Sequence, residues 1–173
     1  MRVFSQDDSR VGFLTVRRRR LTARGVQPVG AGQHVFAWCY VYGAVAPTTG
    51  ERFCLERPYL NAENCQMFID LFAQAFPDRL HRLLLDNRGA HTAQRLTIPE
   101  NVCLVCLPPY GPELHPIARG WRDLKDALAW LQLPTLDVQQ AYVATLLRGY
   151  EAATLQALTS SPDLVEAIHA LRL

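Results

Sequence analysis

Residues 107–125, LPPYGPELHPIARGWRDLK, restrict the fold more than any other stretch of the chain. An apolar, strand-like run, VCLVC at 102–106, stops against Pro108 and Pro109, and Gly111, Pro112 and Pro116 delay any helix until Ile117. Each proline lacks a backbone donor and biases the residue before it toward extended geometry. A strand is thus handed to a helix through a stiff, angled junction. Chains built from such units bind ligands in the crevice beyond the strand ends. Trp121, Leu124, Leu128 and Leu131 recur at steps of three, four and three residues, giving the helix one packing face that Pro134 ends.

Upstream, the pattern is mostly extended. Val3 and Phe4 open a short strand, Asp7 and Asp8 interrupt it, and Val11, Phe13 and Leu14 resume it. A basic loop with Gly25, Pro28, Gly30 and Gly32 follows. Residues 34–45 are nearly continuous in β-branched and aromatic side chains, as in a central strand covered on both faces. A turn at Pro47 to Gly50 returns the chain as a hairpin strand over 52–60. Asn61 suits a helix cap, and Met67, Phe68, Leu71, Phe72 and Ala75 form an apolar stripe that Pro77 closes. Leu83, Leu84 and Leu85 make a short buried strand with Asp86 at its carboxyl end. A short helix over 91–96, the strand before the junction, and helices over about 135–147 and 163–170 complete the order. This predicts an α/β fold, a mixed sheet flanked by helices. It is not a doubly wound nucleotide fold, because no glycine-rich phosphate loop follows the first strand.

Charge narrows the class of partner. The net charge is only +2, but residues 1–30 hold seven arginines, among them Arg17, Arg18, Arg19, Arg20 and Arg24, against Asp7 and Asp8. Such a field suits an anionic polymer such as DNA, although a solvated basic edge has the same composition. Cys39, Cys54, Cys65, Cys103 and Cys106 read as buried free thiols of a reducing compartment. No apolar run is long enough to span a membrane, so the expected location is the cytoplasm, on the nucleoid if DNA is the partner.

Asp7 and Asp86 are the principal candidates for chemistry. If their strands lie side by side the two carboxylates converge, and like charges in close proximity call for a divalent cation such as Mg²⁺ or Mn²⁺. Two such ions would orient a hydroxyl and polarise a phosphate. Aspartates at strand ends also serve as turn caps, and spacing alone leaves both roles open. Asn87 and His91 follow Asp86 and can orient water or phosphate. His115 opens the helix junction and can donate to phosphate, or is an exposed loop histidine. Glu113 is the nearest acid upstream of that helix. Asp123 lies about 140° around the helix from Ala118 and faces elsewhere.

Four segments in order, QDDSRVG (6–12), WCYVYGAVAPTTGE (38–51), LLLDNRGAH (83–91) and the junction (107–125), resemble the catalytic domain of bacterial insertion-sequence transposases related to the mariner type. The resemblance runs over about residues 3–147. It implies a ribonuclease H-like fold and a DDE or DDD metal-binding triad that cleaves DNA and transfers strands. The first acid maps to Asp7, with Asp8 at a usual Glu position; the second maps to Asp86, and His91 fits the DN…H pattern. The third acid of the family directly follows the Pro-Ile of the junction, where this chain has Ala118. Gly120 stands where a bulkier residue is common.

On this reading residues 1–150 form the catalytic domain and 151–173 a helical tail packed on it. The chain is a truncated, degenerate transposase piece; the alternative is a catalytically silent DNA-binding or partner-binding remnant. Nothing precedes the first strand, so the helix-turn-helix modules that recognise transposon ends are expected on a separate polypeptide or lost. A second copy of the chain is a further candidate partner.

Overall fold

A computed structural model describes residues 1–19, 21–27, 29–30, 32–86, 96–107 and 115–170. Its centre is β1, Arg2–Gly12, which pairs with different partners along its length. From Ser5 to Gly12 it runs antiparallel to β2, Trp38–Val45. From Arg2 to Ser5 it runs parallel to β4, His81–Leu85. The hairpin strand β3, Arg52–Arg57, lies outside β2, and β5, Val102–Cys106, lies parallel outside β4. The sheet order is β3-β2-β1-β4-β5.

The expected break at Asp7 and Asp8 does not occur. Pairing with β2 satisfies the backbone there, and the two-residue period sends the side chains of Asp7 and Asp8 to opposite faces. The other strands are shorter than expected: β2 starts at Trp38 rather than His34, because the regular ladder with β1 ends at Gly12 opposite Trp38 and only isolated bonds, such as the Phe13 amide to the Ala37 carbonyl at 3.0 Å, continue past it. β3 stops at Arg57 rather than Leu60, where its register with β2 ends opposite Tyr40.

One face of the sheet carries α1, Ala62–Ala75, whose cap Asn61 accepts a hydrogen bond from the Asn64 amide. Its buried side is Phe68, Ile69, Phe72 and Ala73, packed on Phe4, Tyr42, Ala44 and Leu83. Met67 and Leu71, expected in that stripe, are 38% and 37% exposed; the contact face is rotated by about one residue. Phe4 meets Phe72 edge-on with ring centroids 5.0 Å apart, a favoured aromatic geometry.

The opposite face carries α2, Ile117–Ala127, α3, Leu136–Gly149, and α4, Ala152–Thr159. Ile117, Trp121, Leu124, Val143, Leu147 and Leu155 close over Val11, Cys39, Val41 and Val45. α5, Pro162–Ala170, adds Ile168 over Val3 and Leu84. The helix after the junction ends at Ala127 with Leu128 as its cap, well before Pro134, and Trp130 beyond it lies in the left-handed region at φ 63°; Leu131 falls outside the helix. The turn between β2 and β3 needs Gly50, whose φ is 71° and whose added Cβ would lie 1.8 Å from the Ala152 carbonyl oxygen. Cys103 and Cys106 are exposed rather than buried, since β5 is the edge strand. Most of the short helix expected over 91–96 lies outside the described residues. No helix among the described residues is long and apolar enough to cross a membrane.

Candidate active site

The site is created by a parting of strands. Ser5 opposite Leu84 is the last parallel pair between β1 and β4, and Asp7 and Asp86 each lie two residues beyond it. Asp7 stays inside β1 because β2 holds it opposite Gly43, whereas Asp86 directly follows the end of β4. Both acids, with Asp8, Gln6 and Asn61, line a cavity of about 360 Å³.

Gly43 decides how α2 approaches. A Cβ there would sit 2.5 Å and 2.7 Å from the Trp121 ring and 3.2 Å from the Ile117 side chain, so the bare backbone is the floor on which Trp121 rests. With the indole in place, the first turn of α2 stands beside Asp7. Asp7, Ala118, Trp121, Arg122 and Lys125 line a second hollow of about 300 Å³. Ala118 is exposed at its edge. His115, buried just ahead of the helix, holds Nδ1 3.9 Å from Asp7 Oδ2, beyond hydrogen-bond reach but within electrostatic range.

The electrostatics single out Asp7. Its carboxyl is pushed up from 3.8 to about 6, chiefly by burial. His115 and a hydrogen bond from the Asp8 backbone pull it down, and the charges of Asp8 and Asp86 push it up further. Around it, Ser5 Oγ, Ser9 Oγ, His115 Nε2 and Trp121 Nε1 are buried without hydrogen-bond partners among the described residues.

Of the residues singled out in the sequence, the fold brings together Asp7, Asp86 and His115, with Ala118 at the rim. His91, Asn87, Glu113 and Arg20 lie outside the described residues. Arg17, Arg18, Arg19 and Arg24 are exposed, and Arg18 pairs with Asp126. Asp123 turns away from the site and accepts a hydrogen bond from the Tyr150 hydroxyl at 2.5 Å. Sequence reading missed Gly43, Arg122 and Lys125. The last two were detectable, since they follow Ala118 by four and seven residues and so share its helix face. Gly43 carried no local signal.

Two carboxylates, one on β1 and one just past the end of β4, are a hard-oxygen donor pair that fits one divalent ion of the Mg²⁺ class, with water and phosphate oxygens completing the shell. Among the described residues no three His, Cys, Asp or Glu side chains gather as a ligand set. A third protein ligand is thus not supplied from α2.

Residues 2–137 match the family model described as DDE superfamily endonuclease. The chain is also similar to the uncharacterized protein y4pE/y4sA of Sinorhizobium fredii (strain NBRC 101917 / NGR234), with 36% identity over 90 residues, covering 51% of this chain and 67% of that protein. Among solved structures it is similar to the Mos1 strand transfer complex, with TM-score 0.67, 14% identity and coverage of 90% of this chain and 50% of the other. The Mos1 mariner paired-end complex with Mn gives TM-score 0.64, 12% identity and coverage of 90% and 51%. At these identities the likeness is one of fold, and it agrees with the expected ribonuclease H-like architecture. The chain spans about half the length of the Mos1 chains it matches.

Proposed function

The chain belongs to the DDE superfamily endonuclease family, and we propose that it is the catalytic domain of a transposase that cleaves DNA strands and joins a 3′ hydroxyl to target DNA. The observation that supports this reading is that Asp7 and Asp86, each two residues past the last β1–β4 pair, line one cavity, with the Asp86 charge acting on Asp7. A divalent ion, when bound, would neutralise the two carboxylates and polarise the scissile phosphate. Asp7 and Asp86 would hold it. His115, 3.9 Å from Asp7, would act on that carboxylate through its charge, and Arg122 and Lys125 would attract the DNA backbone to the hollow beside Asp7.

Ala118 makes this a weakened enzyme. At the place where the family resemblance calls for the third acid, a methyl group faces the hollow, so one ligand and one large electrostatic contribution are lost. A specific observation thus favours a second reading, a silent DNA-binding domain. Nicking of an end-labelled duplex in Mn²⁺ separates the two. The enzyme reading expects slow cleavage by the native chain, none by Asp86→Ala and faster cleavage by Ala118→Glu. Absence of cleavage by both the native chain and Ala118→Glu would rule it out in favour of the silent domain. Recognition of particular transposon ends by a separate helix-turn-helix polypeptide, and pairing of two copies, belong to this same proposal.

A further inference from the structure

The cavity of about 360 Å³ reaches from the acid pair to α1, whose Cys65 and Ile69 line it together with Leu83, Leu85 and Leu104 of the sheet. Its volume falls in the range of small-ligand sites. The two-residue period of β1 sends Gln6 and Asp8 to this side of the sheet, the side on which Phe4 meets α1. Hydrogen bonds fix the opposite wall. The Tyr42 hydroxyl donates to the Tyr59 carbonyl at 3.0 Å and accepts from the Asn61 amide at 3.3 Å, and Asn61 Oδ1 accepts from the Asn64 amide at 2.9 Å. The cavity is preformed, so a ligand would not have to organise it.

Gln6 is the unused group in it. The residue is 9% exposed and lines the cavity, yet its side-chain amide has no hydrogen-bond partner among the described residues. Buried polar groups are nearly always paired, so an open amide in an apolar wall points to a ligand that pairs with it. The field inside the cavity has one sign. Asp7, Asp8 and Asp86 line it, and among the described residues no Lys or Arg does. Burial raises the Tyr42 hydroxyl and the Cys65 thiol above their ordinary values, and the Asp8 charge raises both further. These features separate ligand classes. A divalent ion uses carboxylates and water but not a leucine floor. An apolar molecule leaves Gln6 unpaired, and an anion, a DNA phosphate included, is repelled. A cationic nitrogen on an apolar stem meets every requirement: its N–H donates to Gln6 Oε1, its charge lies in the field of the acids, and its stem covers the leucines.

We infer that this cavity binds a small alkyl amine, with the ammonium group beside Gln6 and Asp8 and the stem along Leu83 and Leu104. The inference goes beyond the DNA-cleavage reading and does not rest on it. Its test uses neither DNA nor a metal ion, and the nicking assay above bears on the DNA reading alone.

Isothermal titration of the native chain with n-propylamine, n-butylamine, n-pentylamine and n-hexylamine at neutral pH is the test. The expected result is saturable one-to-one binding that tightens about fourfold with each methylene, the transfer value of one buried CH₂. Hexanoate has a similar stem and the opposite charge, and 1,6-diaminohexane would force a second charge onto the leucines; each should bind at least about tenfold more weakly than hexylamine. Gln6→Leu should weaken hexylamine about tenfold, the order of one hydrogen bond to a charged group. Asp8→Asn should remove most of the advantage of hexylamine over n-hexanol. If either variant fails to unfold cooperatively, the series on the native chain decides. No saturable binding of hexylamine, affinity independent of stem length, or hexanoate binding as tightly as hexylamine overturns the inference and leaves the DNA reading standing. Binding of Nα-acetyl-lysine methylamide more tightly than n-pentylamine would overturn the free amine as ligand in favour of a lysine side chain of another protein.

Discussion

Replacing Gly43 by Ala tests how the sheet sets the active-site helix. The new methyl would lie 2.5 Å from Cη2 and 2.7 Å from Cζ2 of Trp121 and 3.2 Å from Cδ1 of Ile117. Contacts under 3 Å cannot persist, and Trp121 has little room to retreat, being 7% exposed beside Leu124 and Val41 in the same core cluster. Overpacking of this kind costs about 1–3 kcal/mol. For a chain of this size each kcal/mol lowers the melting temperature by roughly 2–4 °C, so the expected loss is about 2–12 °C. Thermal and urea unfolding of Gly43→Ala measure it. The clash is with the six-membered ring of the indole, so Trp121→Phe should create the missing room. The double variant should therefore be less destabilised than the sum of the single ones, a coupling that appears only between residues in contact. Because His115 and Ala118 sit at the start of α2, the single variant should also disturb the surroundings of Asp7. A melting temperature of Gly43→Ala within a degree of the native value, or strictly additive costs in the double variant, would refute the reasoning.

Further predictions concern the acid pair and one helix end. Since burial raises the Asp7 carboxyl to about 6 from 3.8, the folded state holds that proton more tightly than the unfolded chain. The associated stability is complete below about pH 4, declines between pH 4 and 6 and is gone above, so at pH 7.5 Asp7→Asn should be more stable than the native chain by up to about 3 kcal/mol. Urea unfolding at pH 4.5 and 7.5 checks the sign, and an equal or lower stability of Asp7→Asn at pH 7.5 contradicts it. Mn²⁺ at a hundred times its dissociation constant should stabilise the native chain by about 2.7 kcal/mol; a melting shift that persists in Asp86→Ala would place the ion elsewhere. Asn61→Ala removes the side chain that caps α1 through a 2.9 Å hydrogen bond from the Asn64 amide, and should cost about 1 kcal/mol in the same unfolding assay.

The parts of the fold legible in the sequence are those carried by local pattern. Asn61 caps α1 as its side-chain chemistry predicts, and a helix begins at Ile117 after the proline-rich stretch. Trp121, Leu124 and Leu128 are buried on one face of the turns they were expected to occupy. Errors arose where tertiary pairing outweighs local propensity. Asp7 and Asp8 look like a turn, but β2 holds them in a strand; Met67 and Leu71 look like core, but the angle at which α1 meets the sheet buries Ile69 and Ala73 instead. α4, with its short and weakly patterned sequence, is defined by Leu155 reaching the core rather than by periodicity.

For the site, the division falls at the same boundary. The residue types and the order QDD, DN and HPIA are properties of the chain itself, as is the absence of a carboxylate at Ala118. Asp7 and Asp86 are far apart along the chain, and only the parallel pairing of β1 with β4 brings them to the wall of one cavity. The seat of Trp121 on Gly43, the approach of His115 to Asp7 and the leucine floor beside Gln6 also depend on that packing. Periodicity and capping act over a few residues and are written into the sequence. Register and face are set by which strands meet, which no single segment encodes.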